Sequence, residues 1–446
     1  TKLSYKTMET ISAGNWTRIN PNKEISDPLP GYQIWSDQGF TNIVNVVRCG
    51  VIKPLSRVVV HTGEVTCSNE HSLLREDLTS ASPLDIKLKD SLCITELPLP
   101  DDTPSEPIYP NNLTKEVIEN YEIPQVYLYD GFSTELAFVW GMFFADGSCG
   151  TYIRKEKYDI NTWALNKRDK NLLERCMDIL KRHEHRINFK ILDTVKSSRA
   201  YKLVAVQHSG NQKHKGDLKC FVKKYRNLFY NDTDHKKVPD LILNLPFEFR
   251  QAFFMGYYTG DGSKKDPALS ITNKGAIGSA GIFFLLRSLG YKVSINTRKD
   301  KPDVYKLTGS SPFQKFRYKP NAVKKIIPVQ EDHDYIYDIQ TENHHFAAGV
   351  GQLVVHNSNY INFPHMEGKS DEELWEYSEY VADEVTKLFP PPMKLEFEGE
   401  IYTFFFILTK KRYMYRKVVQ KEGKMVYSNS IGKKGVLLAR RDNSKF

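Results

Sequence analysis

The chain has 446 residues and carries 63 Lys+Arg against 54 Asp+Glu, which gives a formal net charge of +9. This length fits two to four domains, since one domain takes roughly 100–200 residues. No run approaches the ~20 apolar residues that a membrane-spanning helix needs. The polar residues 1–6 show no apolar region of a secretory signal. Because no targeting signal is visible, we expect an intracellular protein. Because residue 1 is not methionine, we expect a piece of a longer chain.

The first hundred residues have a β texture. Runs 32–35, 43–47 and 57–61 are rich in β-branched and aromatic residues and are bounded by Gly, Pro and Asn, which predicts strands. The Pro- and Asp-rich residues 97–104 predict a linker. Between about 115 and 325, helical and strand-like patterns alternate. The β texture then returns from Asp334 to Asn357.

The middle zone contains an internal duplication. Residues 136–148, LAFVWGMFFADGS, are echoed by residues 251–263, QAFFMGYYTGDGS. One such motif would more simply be a helix that ends at a left-handed glycine. Two copies with shared flanking patterns favour a common function for Asp146 and Asp261 instead.

Each predicted helix carries a stripe of small residues spaced four apart, namely Gly141 and Ala145 in the first copy and Gly256 and Gly260 in the second. Two such helices can pack backbone to backbone. Their carboxyl ends would then bring Asp146 and Asp261 side by side, where the carboxylates repel each other and face an unfavourable helix dipole. A divalent cation such as Mg²⁺ relieves both problems.

The paired motif resembles the LAGLIDADG homing endonucleases, in the single-chain form found inside inteins, over roughly residues 115–325. The resemblance implies a two-repeat αββαββ fold, double-stranded DNA as partner, and Mg²⁺ held by Asp146 and Asp261. It also implies an assisting lysine near each site, for which Lys237 is the better candidate and Lys325 the weaker. Basic strand residues would contact DNA, and solvent exposure alone is the alternative for each of them: Arg199, Lys202, Arg298 and Lys299.

The β zone ends in residues suited to breaking the backbone. The Asn357 side-chain nitrogen can attack its own main-chain carbonyl and close a succinimide ring. His356 can assist departure of the amide leaving group. Ser358 supplies an Oγ nucleophile beyond the broken bond, able to accept an acyl group.

These β segments resemble the two halves of the Hint (hedgehog/intein) fold, in residues 1–105 and 326–357. The resemblance assigns splicing roles, without a cofactor, to Ser68 and His71 in one conserved block, to Asp338 and His344 in another, and to His356, Asn357 and Ser358 at the junction. Inteins begin with Cys or Ser, so we expect the first nucleophile upstream of Thr1.

Residues 358–446 resemble the palm and the start of the thumb of family B DNA polymerases of large DNA viruses. A helix of period 3.6 is predicted around residues 374–385, followed by aromatic strands. A basic cluster would hold primer-template phosphates, or would form a charged hairpin edge. It consists of Lys410, Lys411, Arg412, Arg416 and Lys417, with Tyr413 packing nearby. The polymerase aspartates would lie upstream, so dNTPs would bind only the intact spliced enzyme.

The sequence thus predicts an α+β multidomain chain. The expected parts are a truncated Hint N-terminal half at 1–105, the endonuclease at 106–325, the Hint C-terminal half at 326–357, and the polymerase segment at 358–446. We expect the replication compartment of a virus-infected cell. The alternative is an endonuclease decayed to a non-catalytic DNA-binding insert, with C-terminal autocleavage only.

Overall fold

The computed structural model describes residues 2–20, 23–50, 54–69, 71–109, 113–119, 121–154, 158–207, 216–263, 268–298, 300–301, 303–313, 318–329, 334–356, 366, 368–389, 395, 397, 399–409, 412–421 and 424–434. Within them the chain is α+β, as expected. No helix in these ranges is long and apolar enough to cross a membrane.

An outer β unit is assembled from two distant segments. The first supplies β1 (Thr17–Asn20), β2 (Lys23–Ser26), β3 (Gln33–Ser36), β4 (Gly39–Gly50), β5 (Leu55–Val60), β6 (Gly63–Ser68), β7 (Leu73–Leu74) and β8 (Ser80–Ala81). The second supplies β18 (Val323–Val329), β19 (Tyr335–Thr341), β20 (His345–Ala347), β21 (Val350–Gly351) and β22 (Val354–His356). The three strands predicted from residues 32–61 lie in β3, β4 and β5.

The sheets of the outer β unit each join strands from both segments. Their orders are β1-β2-β4-β19 with β3 also on β4, β18-β5-β6-β21, and β20-β22-β7-β8. Val58 lies opposite Ile326, and Leu73 opposite Val355. All four side chains face one hydrophobic cluster, in which Ile326 is only partly buried. The unit therefore forms only when the second segment returns to the first.

Between the two segments lies the insert, residues 113–310. It opens with α1 (Lys115–Glu119), β9 (Leu128–Tyr129) and β10 (Phe132–Ser133). The first repeat contains α2 (Thr134–Asp146), β11 (Gly147–Arg154), β12 (Tyr158–Lys167), α3 (Lys170–His183), β13 (Asn188–Asp193), α4 (Val195–Ser198), β14 (Tyr201–Val206) and α5 (Asp217–Phe229). After α6 (Asp240–Leu243), the second contains α7 (Phe247–Asp261), β15 (Leu269–Lys274), α8 (Ala276–Ser288), β16 (Lys292–Thr297) and β17 (Val304–Ser310).

The two repeats share one strand register. The sheet orders are β11-β12-β14-β13 and β15-β17-β16. Leu203 lies opposite Leu165 on β12, and Leu307 opposite Ile271 on β15. The first repeat follows the expected αββαββ order, apart from the short α4. In the second, the described residues contain a single strand between α7 and α8, so the expected order is found there only in part.

The C-terminal part contains α9 (Asp371–Thr386) and the sheet β23 (Ile401–Thr409), β24 (Arg412–Lys421) and β25 (Lys424–Lys434). Helix α9 starts at a capping box in which the Ser370 and Glu373 side chains each accept from the other's backbone N–H. Trp375 of α9 packs with Ile401 and Val418 of the sheet. The predicted helix and aromatic strands are confirmed.

The connecting residues 97–104 are not a free linker. Leu97 and Leu99 pack against the core of the insert. The Asp102 carboxylate accepts the Phe247 N–H at the start of α7 (2.8 Å) and pairs with the Arg250 guanidinium (2.6 Å). Arg250 is only 1% exposed. A buried cation needs a partner, and this segment provides it.

Candidate functional site

Helices α2 and α7 cross backbone to backbone. A Cβ added to Gly141 would lie 1.9 Å from the Phe253 carbonyl oxygen, and one added to Gly256 would lie 2.0 Å from the Phe138 carbonyl oxygen. No larger residue fits at either position, because the obstruction is helix backbone. Both helices are buried on nearly every side, which explains why their sequences are apolar all round. The predicted small-residue seam is confirmed.

The close approach continues to the carboxyl ends of the helices. A Cβ on Gly260 would lie 2.1 Å from the Ala145 Cβ and 2.9 Å from the Asp146 Oδ2. The glycines that follow the two aspartates have ordinary negative φ angles, −78° at Gly147 and −63° at Gly262. A left-handed helix end therefore does not explain the motif.

Two lysines stand at this crossing. Lys167, on β12, forms an ion pair with Asp146. The Lys236 ammonium donates to the last carbonyls of α2, at 2.9–3.2 Å, on Phe143, Phe144 and Ala145. A cation is favoured at that end of a helix. Burial lowers the pKa of Lys236 to about 8, while the charges of Asp261 and Asp146 act in the opposite direction.

The second aspartate is perturbed by its surroundings. Asp261 is exposed, but the packed helix ends remove part of its water, and this desolvation raises its pKa. The Asp146 carboxylate raises it further, and Lys236 and Lys167 oppose the rise. Like charges at the two helix ends therefore act on each other, as the sequence predicted.

This arrangement fits a divalent cation. The Asp146 and Asp261 carboxylates act on each other through their charges, and the buried Asp146 Oδ2 atom pairs with the Lys167 ammonium. Within the described ranges no cluster of three metal-ligating side chains occurs. A Mg²⁺ ion held here would take its remaining ligands from water and phosphate, as it commonly does in nucleic-acid enzymes.

The two lysines that the sequence favoured lie elsewhere. Lys237 lines a cavity of about 310 Å³ with Tyr5, Arg226 and neighbouring polar residues. Lys325 lies on β18 and donates to the Asn296 Oδ1 (2.7 Å) and to the Thr297 carbonyl (2.8 Å). The structure brings Lys236 and Lys167 to the carboxylates, and neither of the lysines named from the sequence is bonded there.

The strand residues proposed for DNA contact are spread over two sheets. Lys202 lies on β14, next to the buried Leu203. Arg199 lies in the turn after α4, where it is exposed and has a left-handed backbone conformation (φ 58°). Arg298 is exposed and pairs with Asp300 (2.5 Å), which neutralises it. Lys299 lies outside the described residues.

The second sheet presents a polar face that the sequence analysis did not single out. Thr272, Asn296 and Lys306 are exposed on β15, β16 and β17, while the buried Ile271, Ile295 and Leu307 alternate with them. Period-two alternation in these strands was a usable signal.

The end of the outer β unit collects four histidines. The His356 N–H on β22 donates to the Ser72 carbonyl (3.1 Å), next to His71. His345 lies opposite His356 in the β20–β22 pair, with ring centroids 5.2 Å apart. The His344 ring centroid is 6.4 Å from that of His356. The structure therefore brings together His71, His344 and His356, which the sequence placed in three separate blocks.

Burial sets the charge of this cluster. It lowers the pKa of His356 to about 4, and the neighbouring His345, His344 and His71 lower it in the same direction. His356 is therefore neutral at pH 7. Asp37 holds the His345 Nδ1 at 3.1 Å, and this hydrogen bond lowers the pKa of Asp37.

Ser68 and Asp338 lie on strands that flank the cluster. Ser68 is buried at the end of β6, and its carbonyl accepts the His71 N–H (2.9 Å). Asp338 lies on β19, where its Oδ1 accepts the Ile339 N–H (2.8 Å). Its charge acts on Cys67, whose thiol pKa rises to about 12 through burial first and then through Glu64 and Asp338.

Six further predicted residues lie wholly or partly outside the part of the chain that the structure describes. Asn357, Ser358, Lys410 and Lys411 lie outside the described residues. Arg412 and Tyr413 open β24, where only their backbone is described. Farther along that strand, the Arg416 guanidinium lies 4.9 Å from the Tyr427 ring centroid and Lys417 pairs with Glu400.

Sequence reasoning missed four functional candidates: Lys167, Lys236, Asp37 and His345. Lys236 adjoins a predicted residue, but the sequence alone does not say which of two adjacent lysines points inward. His345 also adjoins a predicted residue. Asp37 carries no local signal, because its partner is 308 residues away.

Comparison with known proteins identifies the end of the chain. The model of DNA polymerase family B matches residues 362–446. DNA polymerase 120R of Invertebrate iridescent virus 3 is 51% identical over 98 residues, which are 22% of this chain and 8% of that protein. This segment is similar to DNA polymerase family B over residues 362–446. Helix α9 and the sheet β23-β24-β25 are the described part of the polymerase segment.

Similarity to polymerases also extends over the rest of the chain. The DNA polymerase of Acanthamoeba polyphaga mimivirus is 34% identical over 461 residues, covering 99% of this chain and 24% of that protein. The DNA polymerase of Thermococcus litoralis is 25% identical over 310 residues, covering 58% and 17%. The chain thus spans about a quarter of the length of the mimivirus polymerase.

Two solved structures resemble part of the chain weakly. I-DmoI in complex with DNA and Mn is 18% identical with a TM-score of 0.29, covering 40% of this chain and 89% of that one. The homing endonuclease I-WcaI bound to its DNA recognition sequence is 15% identical with a TM-score of 0.26, covering 44% and 82%. At these values the likeness decides nothing about this chain.

Proposed function

We propose that the chain is part of a family B DNA polymerase precursor, interrupted by a self-splicing intein that carries a LAGLIDADG homing endonuclease. The observation that carries the nuclease assignment is the backbone contact between α2 and α7 at Gly141 and Gly256. This close contact holds the carboxyl ends of the two helices together, as is required if Asp146 and Asp261 act on one substrate. The assembly of the outer β unit around an insert supports the intein assignment.

The nuclease acts on double-stranded DNA. Mg²⁺ bound between Asp146 and Asp261 would lower the pKa of a water nucleophile and stabilise the leaving oxygen of a phosphodiester. Lys236 and Lys167 hold positive charge where the phosphate's negative charge grows. Lys236 takes the supporting role for which the sequence favoured Lys237.

The test is cutting of a duplex that carries the uninterrupted polymerase gene, in the presence of Mg²⁺. We expect Asp146→Asn to abolish cutting and to retain DNA binding, because the carboxylate charge is lost while the fold is kept. Asp178→Asn, exposed on α3, is the matched control and should cut like the wild type. Unchanged cutting by Asp146→Asn would remove that residue from the site. A wild-type chain that binds but never cuts would favour a non-catalytic DNA-binding insert.

The splicing unit breaks the chain at Asn357. The Asn357 side-chain nitrogen bonds to its own carbonyl carbon and loses a proton, the bond to the Ser358 nitrogen breaks, and that nitrogen leaves as an amine after protonation. His356 is neutral at pH 7 and can polarise the carbonyl through its N–H or pass the proton. Before this step, Ser358 accepts the upstream acyl group, and an O-to-N shift afterwards restores a peptide bond.

Histidine substitutions test the splicing assignment. His356→Gln should slow cleavage after Asn357 by about 10²-fold or more, the usual contribution of a positioned acid or base. His185→Gln, exposed after α3, should cleave at the wild-type rate. Equal rates for both variants would exclude the role of His356.

The polymerase segment has no complete active site by itself in this proposal. Its partners, primer-template DNA and dNTPs, bind after splicing joins it to the upstream part of the enzyme. Because polymerases similar to this chain come from the viruses named above, we place its action in a virus-infected cell.

A further inference from the structure

Strand β16 of the insert closes one end of the sheet β18-β5-β6-β21. The Ile295 N–H donates to the His61 carbonyl in the β5–β6 turn at 2.9 Å, and the Lys324 ammonium on β18 donates to the Ile295 carbonyl. Both backbone groups of Ile295 are therefore bonded to the outer β unit. Because β16 is an edge strand of its own sheet, these bonds also satisfy an otherwise open edge.

Side chains reinforce the contact at β21. Ile295 is fully buried, and a Cβ added to Gly351 would lie 2.9 Å from the Ile295 Cδ1. Val350 belongs to the hydrophobic cluster of the insert. Strand β21 precedes β22, which carries His356. The chain leading into the splice junction is thus packed on the insert.

A buried ion pair lies beneath the insert. The Arg57 Nε lies 2.9 Å from the Glu64 Oε1, and the two side chains are 4% and 2% exposed. The Tyr305 ring centroid on β17 lies 5.6 Å from the Arg57 guanidinium. Glu64 is on β6, the strand that ends at Ser68. The strength of a buried ion pair depends on the residues that exclude water from it. Tyr305 of the insert is one of these residues.

The N-terminal arm, residues 2–10, is also held by the insert. The Leu3 N–H donates to the Asn244 Oδ1, and the Asn244 Nδ2 donates back to the Leu3 carbonyl, each at 2.7 Å. The Tyr5 ring packs edge-on against Phe284 of α8, with centroids 6.3 Å apart. The Thr10 hydroxyl donates to Asp232 (2.8 Å). The N-terminal arm and the strand β21 near the splice junction therefore both contact the insert.

We propose that the insert is a structural part of the splicing unit, and that cleavage after Asn357 requires its folded β16–β17 edge. This inference rests on the proposed splicing function. It means that the insert cannot be discarded when its nuclease activity is lost. A chain with a decayed nuclease would still have to keep the folded insert in order to splice.

The test is the full chain with Lys324→Met, which removes the ammonium bonded to Ile295 and leaves the backbone pairing of β18 intact. We expect amide exchange in the β5–β6 turn and in β16 to accelerate together, and cleavage after Asn357 to slow, each by about tenfold. Exchange in the buried seam of α2 and α7 should not change. Lys274→Met, exposed on β15, is the control and should alter neither readout.

Two results overturn the inference. One is wild-type cleavage and exchange in Lys324→Met. The other is wild-type cleavage by a chain in which a short flexible linker replaces residues 113–310. A third result would be that the wild-type chain never cleaves, although Lys324→Met still accelerates amide exchange in β16 and in the β5–β6 turn together. In that case the proposed splicing function fails, and the inference that rests on it fails too.

Discussion

Replacing Gly141 with alanine should destabilise the protein, although alanine is the better helix former. By propensity alone the change would stabilise α2 by about 1 kcal/mol. The new Cβ would meet the Phe253 carbonyl oxygen at 1.9 Å and the Tyr257 nitrogen at 2.7 Å. A carbon and an oxygen normally stay about 3.3 Å apart or more. The helices must therefore separate by more than about 1 Å.

Overpacking of this kind costs roughly 1–3 kcal/mol, and more where backbone is the obstacle. We expect a net loss of about 2 kcal/mol or more in the free energy of unfolding, measured by urea denaturation with tryptophan fluorescence. DNA cutting should also be lost, because the separation moves Asp146 away from Asp261.

Gly150→Ala is the control for Gly141→Ala. An added Cβ at Gly150 meets nothing within 4 Å, so its stability should stay within about 0.5 kcal/mol of the wild type. Gly256→Ala should behave like Gly141→Ala because its Cβ would meet the Phe138 carbonyl at 2.0 Å. A Gly141→Ala protein as stable as the wild type would refute the close helix crossing.

Asp102→Asn should lower the free energy of unfolding by about 1–3 kcal/mol in urea titrations, because it leaves the charge of Arg250, which is 1% exposed, without its partner. The loss should be smaller than for a fully buried ion pair, because Asp102 itself is 42% exposed. Cleavage after Asn357 should hold from pH 7 to about 5 and fall as His356 protonates near its pKa of about 4. His356 also makes the fold less stable as the pH falls from 6.5 to 4, since the unfolded chain binds its proton first. Lys202→Ala should reduce the slope of log K for DNA against log salt by about 1.

Glu106→Gln, exposed near Asp102, should not alter stability, and equal losses in the two variants would deny Arg250 its partner. A cleavage profile that falls near pH 6.5 would show that His356 is not buried. Lys223→Ala, exposed on α5, should leave the salt slope unchanged, and an unchanged slope in Lys202→Ala would place that lysine off the DNA.

The sequence was sufficient for features that depend on local period and repetition. The spacing of Gly141 and Gly256 within two copies of one motif predicted the helix seam, because only small residues allow backbones so close. The strands of the outer β unit followed from their β-branched runs. Helix α9 followed from its period.

Features that depend on distant pairing could not be predicted. Adjacent lysines such as Lys236 and Lys237 look alike in the sequence. Only the folded structure shows that the Lys236 side chain reaches the carboxyl end of α2 and that the Lys237 side chain does not. The pairing of Asp37 with His345 arises when the two segments of the outer β unit meet. The backbone bonds of Ile295 to that unit also could not be predicted. The alternating pattern of its strand predicts only that Ile295 is buried, not which part of the chain covers it.

The intact mass of the purified chain, followed over time at pH 7, tests the chemistry proposed at Asn357 most directly. Scission before Ser358 yields pieces of 357 and 89 residues. We predict that the larger piece is one water lighter than its free acid, because it ends in a succinimide, and that the smaller begins with Ser358. A chain that keeps its full mass, or that breaks equally well with Asn357→Ala, would contradict the proposal.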